Sequence, residues 1–194
     1  AVCTPEITLP HPRMTERRFV LEPLHEIAPE LVLAKGGPTV SELLKNLSAL
    51  RIRPVGNSPE ECEEAATALN RLMPSLTENY TALKAADVAR MLSTGLTRIY
   101  LGRDESGKVQ AGATLVLCCS PTGCKAWIED VAVMPDCRRR GYGRAIIRFL
   151  IAESQRLGAK SLNLTSQPKR EVANALYRSE GFVLRETNVY RWQK

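Results

Sequence analysis

The run Arg138-Arg139-Arg140-Gly141-Tyr142-Gly143-Arg144 crowds four guanidinium groups around two glycines. That combination suits the binding of an anion, because glycine lets the main chain approach a ligand closely and arginine supplies forked, permanently charged donors. The residues on either side decide how the run is presented. Upstream, Val131 and Val133 alternate as strand residues do, and Pro135-Asp136 stops the strand, since proline cannot donate to a ladder. Downstream, Ala145, Ile146 and Ile147 begin an amphipathic helix. A helix start aims free N–H groups and the positive end of the macrodipole at the same point. Strand, basic glycine turn and helix together describe a phosphate site.

Its occupant can be narrowed. A P-loop requires Gly-Lys-Ser/Thr, and no such tripeptide follows Gly143. A dinucleotide fingerprint requires Gly or Ala three residues beyond its second glycine, where Ile146 stands, and an acidic residue about twenty positions further on, which is absent. The remaining pattern, Arg138-x-x-Gly141-x-Gly143 after a strand and before a helix, resembles the pyrophosphate loop of the GNAT superfamily of acetyl-coenzyme A-dependent N-acetyltransferases. A second stretch, Ala173-Asn174-Ala175-Leu176-Tyr177-Arg178-Ser179-Glu180-Gly181-Phe182, is similar to that family's Ala-x-x-Leu-Tyr-x-x-x-Gly-Phe segment. Arg170 departs from the pattern, standing where many members have Asn.

The resemblance implies acetyl-CoA as co-substrate, with no metal. It places the coenzyme against the main chain of Val131, Ala132 and Val133, against Arg138, Arg139, Arg140, Gly141, Tyr142, Gly143 and Arg144, and beside Asn174 and Tyr177. It also implies a tetrahedral oxyanion stabilised by a main-chain N–H. Tyr177 is then the acid that protonates the leaving thiolate, and pKa values of ~10 for a phenol and ~8.5 for a thiol permit this near neutrality. The acceptor amine must attack unprotonated. For a lysine-type amine (pKa ~10.4) deprotonation at pH 7 costs roughly 4.6 kcal/mol, and for an α-amine (~7.8) about 1 kcal/mol. Glu129 is the candidate base, acting directly or through water; as a strand-face carboxylate paired with an arginine it would be structural instead. Tyr80, Tyr190 and Trp192 are candidates to line the acceptor pocket or to pack as ordinary aromatics.

The elements that must position these groups follow from periodicity and punctuation. A strand is expected at 52–55, a helix begins at Ser58-Pro59 and ends at Pro74, and a second helix spans 84–93. Strands at 97–103 and 109–119 are joined through Asp104-Glu105-Ser106-Gly107, a hairpin signal. The central strand is 125–133, the long helix 145–157, and a strand 161–165 precedes a helix at 170–179. Strands at 182–186 and 188–192 are expected to close the sheet. With the resemblance, this order implies an α/β (α+β) fold, a mixed, mostly antiparallel, splayed sheet flanked by helices, over residues 50–194.

Residues 1–49 read differently. Pro10-His11-Pro12-Arg13 and Phe19-Val20-Leu21-Glu22-Pro23-Leu24, continued by Gly37-Pro38-Thr39-Val40, are similar to the C-terminal part of hydroxymethyldihydropterin pyrophosphokinase, a folate-biosynthesis enzyme. In that family the positions matching His11 and Arg17 lie near nucleotide and pterin. Its magnesium-holding Asp-x-Asp has no counterpart, for the first aspartate of the chain is Asp87. Phosphoryl transfer by this chain alone is therefore not expected. The segment reads as a short, mainly helical appendage, with Phe19, Val20, Leu24 and Ile27 forming its apolar stripe. About fifty residues bury too little to fold alone, so it must pack on the second domain, associate with another chain or stay mobile. With Ala1 in place of an initiator Met, a processed or truncated product is the expectation.

Composition bounds the rest. Of 194 residues, 44% are hydrophobic and 25% charged, ordinary for a soluble globular protein. No apolar run approaches the ~18 residues of a membrane span. The net charge of +6 could suggest nucleic acid, but five of the arginines fall between 138 and 148, where the coenzyme site accounts for them. The six cysteines lack Cys-x-x-Cys spacing and read as reduced thiols of a cytoplasmic protein. The expected partners are a small-molecule or peptide amine and, optionally, a second copy in a homodimer. Two rival readings stay open: a fragment of a bifunctional pterin pyrophosphokinase/acetyltransferase, and a non-catalytic acyl-CoA- or nucleic-acid-binding module.

Overall fold

A computed structural model describes residues 2–3, 8–9, 14–16, 18–46, 50–77 and 79–192. The chain divides into two compact units, Ala1–Leu164 and Thr165–Lys194. In the first, Val2–Cys3 (β1) and Thr8–Leu9 (β2) make a short antiparallel pair. Arg18–Ile27 (α1) and Val40–Asn46 (α2) follow. The main sheet contains Arg51–Pro54 (β3), Thr97–Arg103 (β4), Val109–Ser120 (β5), Gly123–Val133 (β6) and Leu162–Leu164 (β7), hydrogen-bonded in that order. The first four are antiparallel neighbours; β7 joins β6 in parallel. This is the mixed, mostly antiparallel sheet expected.

Pro59–Leu72 (α3) starts where the sequence marks it. Ser58 and Glu61 form a reciprocal capping box, the Glu61 N–H donating to Ser58 Oγ at 3.2 Å and the Ser58 N–H to Glu61 Oε2 at 3.4 Å. With Ala85–Leu92 (α4), this helix covers one face of the sheet. Ala65, Leu69, Leu72 and Val88 pack there in one cluster with Ile99, Leu101 and Ala132. Gly112 permits the close approach, since a Cβ on it would lie 3.1 Å from Leu72 Cδ1 and 3.3 Å from Leu101 Cδ2.

Tyr142–Arg156 (α5) packs against β5 and β6. Ile99 and Leu101 point to the α3 cluster, so Tyr100 between them faces the other way. Its ring meets Phe149 edge-on, with centroids 5.2 Å apart, and its hydroxyl donates to Glu153 Oε1 at 2.8 Å. Arg156 clamps the same carboxylate through Nε at 2.7 Å and Nη2 at 2.8 Å. This buried-edge network fixes the far half of α5 to β4. The helix begins three residues earlier than its periodicity suggests, because Gly141 adopts φ 82 and turns the chain directly into it. The appendage belongs to the same unit: Leu21 and Val40 are fully buried, and Glu22 lies 3.8 Å from Arg148 of α5. Within its expected stripe, Val20 and Leu24 are half-buried and Ile27 is 81% exposed. His11, Arg17 and the Phe19 side chain lie outside the described residues.

Two expectations are corrected. Cys119 and Cys124 stand directly opposite each other in the β5–β6 register and form a disulfide, so the six cysteines are not all reduced; Cys62 and Cys137 are buried free thiols and Cys118 an exposed one. Spacing along the chain does not reveal a pair created by strand register. The second correction concerns residues 182–192, which form no strand. Phe182, Val183 and Leu184 are consecutive rather than alternating, and a strand requires partners for its amides. Leu184 is 93% and Trp192 80% exposed. In this second unit the regular element is Glu171–Ser179 (α6).

The Tyr100 and Arg156 contacts, chiefly the latter, hold the Glu153 carboxyl down at about 2 from 4.5. A depressed carboxyl stabilises the fold above its unfolded pKa and loses that contribution as pH falls through its folded one. Stability is therefore expected to decline between about pH 4.5 and about 2 by on the order of 2 kcal/mol from this group. Glu153→Gln should lower stability at neutral pH by a similar amount and flatten the acid limb, as measured by urea unfolding across that range.

Candidate active site

The end of β6 carries the site's first half. Opposite β5, Gly112 pairs with Ala132 and Thr114 with Glu129, so Ala113 faces two residues, Asp130 and Val131. This is a β-bulge, and Asp130 takes φ 54 to make it. On the other side β7 reaches only Ile128, its last partner. Residues 129–133 therefore keep β5 on one edge and, among the described residues, have no strand on the other. An unpaired strand edge offers main-chain N–H and C=O groups to an extended, amide-bearing ligand. Val131 and Val133 are half-buried there, while the Ala132 side chain is committed to the core, leaving its main chain as its contribution.

Pro135–Cys137 is a 3₁₀ turn leading into the arginines. Arg138 is extended at φ −65, ψ 157; Arg139 is left-handed at φ 65 and Gly141 at φ 82. Alternating handedness of this kind gathers successive N–H groups into an anion-binding concavity, and α5 adds its own unpaired first-turn N–H groups. Arg138, Arg139 and Arg140 are exposed; Gly141, Gly143 and Arg144 are half-buried. Tyr142 is buried, so what it can offer a phosphate is its main-chain N–H and not its ring.

Glu129 is exposed at the bulge. Desolvation and then the neighbouring Asp130 charge raise its carboxyl, bringing it closer to the range of a general base. Tyr80 sits in the α3–α4 connection, and the Asp130 charge reaches it. Its hydroxyl donates to Asn70 Oδ1 at 2.6 Å; Asn70 also receives the Leu83 N–H at 2.8 Å and donates Nδ2 to the Leu83 carbonyl at 2.9 Å. Asn70 thus fixes this loop, a role its place on α3 did not advertise.

In the second unit, Asn174 and Tyr177 are half-buried on one face of α6. Asn174 Nδ2 donates to the carbonyls of Gln167 (3.0 Å) and Pro168 (3.4 Å), so part of its capacity shapes the turn before the helix. Tyr177 meets the Phe182 ring edge-on at 6.0 Å. Burial raises its phenol, with Arg170 opposing. Tyr190 and Trp192 are exposed on irregular chain.

A model of the acetyltransferase (GNAT) family matches residues 67–182. Residues of the chain are 40% identical over 58 positions to the ribosomal protein bS18-alanine N-acetyltransferase of Escherichia coli, covering 30% of this chain and 39% of that one. A 49-residue stretch is 43% identical to 2-amino-4-hydroxy-6-hydroxymethyldihydropteridine pyrophosphokinase of Synechocystis, covering 25% of each. The chain thus spans a quarter to about two-fifths of these relatives' lengths. A solved acetyltransferase structure from Agrobacterium tumefaciens superposes with a TM-score of 0.64 at 27% identity, covering 74% of this chain and 99% of that one.

Replacing both Arg138 and Arg140 by Ala removes two guanidinium groups from the corner, and the expectation that these bind the coenzyme is tested by their loss. Coenzyme A affinity, measured by calorimetry, should fall at least about tenfold, with the thermal midpoint of the free protein unchanged.

Proposed function

Because the chain belongs to the acetyltransferase (GNAT) family, we propose that it moves the acetyl group of acetyl-CoA onto a primary amine by direct attack through a tetrahedral intermediate. The observation that carries this is the glycine-arginine corner between an open-edged strand and a helix. In this reading the coenzyme's diphosphate is held by Arg138–Arg140, Arg144 and the N–H groups of residues 141–143. Its pantetheine amides pair along residues 131–133. A main-chain N–H at that edge takes the oxyanion. Glu129 receives the amine's proton, directly or through water, and Tyr177 gives one to the departing thiolate. A raised carboxyl suits the first role and a phenol that stays protonated suits the second. The protein acts in the cytoplasm, as a monomer or homodimer, on a small-molecule or peptide amine.

A second reading is favoured by the 49-residue likeness to the pterin pyrophosphokinase. Residues 1–49 are then the remnant of that enzyme joined to an acetyltransferase domain at 50–194, in a bifunctional folate-pathway product whose kinase part is inactive here.

Thiol release from acetyl-CoA across a panel of amines (an alanine-ended peptide, free amino acids, a polyamine and an aminosugar) tests the first reading. Turnover with at least one class is expected. Coenzyme binding without turnover on any would leave an acyl-CoA-binding module instead. Tyr177→Phe should lower kcat by about a hundredfold with little change in KM. With its phenol raised by burial, the wild type should keep its activity into alkaline pH, losing it only as Tyr177 ionises. Glu129→Gln should impair amines of pKa near 10 more than α-amines, and an equal loss would remove it from the base role.

A further inference from the structure

Gln110 stands out among the described residues as a buried polar side chain, 6% exposed, on a strand otherwise lined by small apolar groups. Gly102 pairs with Ala111 and Arg103 with Val109, so Gln110 is the extra residue of a second β-bulge. A bulge re-aims the side chain it inserts. This one sends the Gln110 amide toward the turn that opens the arginine corner. Its Oε1 accepts the Cys137 thiol at 3.3 Å, and its main-chain carbonyl accepts the Met134 N–H at 2.9 Å. Both ends of the Pro135–Cys137 turn are therefore tied to one residue. The other side of the amide is anchored too: Nε2 donates to Asp104 Oδ2 at 2.6 Å. Asp104 is in turn locked into the β4–β5 hairpin by Ser106 Oγ (2.6 Å) and by the N–H groups of Ser106 (3.0 Å) and Lys108 (3.1 Å).

We infer that Gln110 is the positioning residue of the coenzyme corner, transmitting the rigid β4–β5 hairpin to the 3₁₀ turn that sets the approach of Arg138. The inference rests on the acetyl-CoA reading above. The polarity of the chain of bonds is fixed by chemistry. Hydrogen bonds from Ser106 and Gln110 keep Asp104 ionised, down to about 2, so it can only accept. Burial keeps Cys137 a thiol, so it can donate. An amide, which donates at one end and accepts at the other, is what fits between them. Arg138 is the next residue after Cys137, and displacement of that turn moves the cationic groups away from the anion without touching them.

The test is coenzyme A calorimetry and steady-state kinetics on wild type, Gln110→Leu, Gln110→Glu and the charge-conserving swap Asp104→Asn/Gln110→Glu, with thermal midpoints in parallel. Gln110→Leu should weaken coenzyme A about five- to tenfold and raise KM for acetyl-CoA equally, leaving kcat at saturation and KM for the amine unchanged. Gln110→Glu sets two carboxylates face to face and should weaken binding at least as much. The swap restores donor to acceptor at both contacts and should return affinity to within about twofold of wild type. Should Gln110→Leu not fold, Cys137→Ala, expected to weaken binding about two- to threefold, is the substitute. Equal affinity in all variants, or a swap no better than Gln110→Glu alone, overturns the inference while leaving the coenzyme site standing. Absence of coenzyme A binding in the wild type overturns both.

Discussion

A chain that leaves a strand at Val133 and enters a helix at Tyr142 must turn within eight residues, and it does so with left-handed conformations at Arg139 and Gly141. That geometrical constraint is what the remaining structure serves. A helix start has no intrahelical acceptors for its first N–H groups, and Arg138, Arg139, Arg140 and Arg144 surround this one. The corner thus gathers donors of the kind that suit a negatively charged ligand. Behind it, the Tyr100–Glu153–Arg156 network pins the far half of α5 to the sheet, and Gln110 holds the incoming turn. Both anchors are buried or partly buried, and neither offers its own charge to the ligand.

The second such feature is the open edge of β6. The parallel partner β7 ends at Leu164, level with Ile128, and the bulge at Asp130 lengthens the exposed stretch by one residue. A non-glycine residue at φ 54 costs on the order of 1 kcal/mol. The sheet tolerates that strain because Ala132, beyond the bulge, is gripped by the cluster of Leu69, Leu72 and Leu101. Strain, unpaired amides and the arginine corner follow one another along a single strand. In the reading proposed above, the ligand that spans them is long, amide-rich and anionic at one end, as a phosphopantetheine is.

How much of this the sequence disclosed follows a pattern. Features written by a residue's own conformational preference were legible: the Ser58-Pro59 helix start, the hairpin at Asp104–Gly107, the Pro135 strand stop and the glycine corner. Features produced by register between strands were not. The bulges at Asp130 and Gln110, and the Cys119–Cys124 pairing, depend on which residue of a neighbouring strand lies opposite. Nothing in a single segment encodes that. Asn70 belongs to the same class, for its polar amide on α3 gains meaning only because the backbone of Leu83 arrives beside it. The expected strands after Phe182 failed for the converse reason. Their residues have high β-propensity, but propensity without an available ladder yields irregular chain.

Charge along β6 gives the arrangement its direction. Glu129 and Asp130 sit at the bulge, whereas Arg138, Arg139 and Arg140 lie beyond the strand's end. From Asp130 to Val133 the strand advances by about 10 Å, at ~3.3 Å per residue. That is comparable to the Debye length of ~8–10 Å at physiological salt. The acidic and basic groups therefore occupy separate places along this stretch of chain. In the proposed reading the acceptor amine arrives protonated, so the acidic end both attracts it and takes its proton, and the raised Glu129 carboxyl suits the second task. A lower carboxyl would attract the ammonium equally but accept its proton less readily. The like-charge neighbour Asp130, forced alongside by the bulge, supports both demands at once.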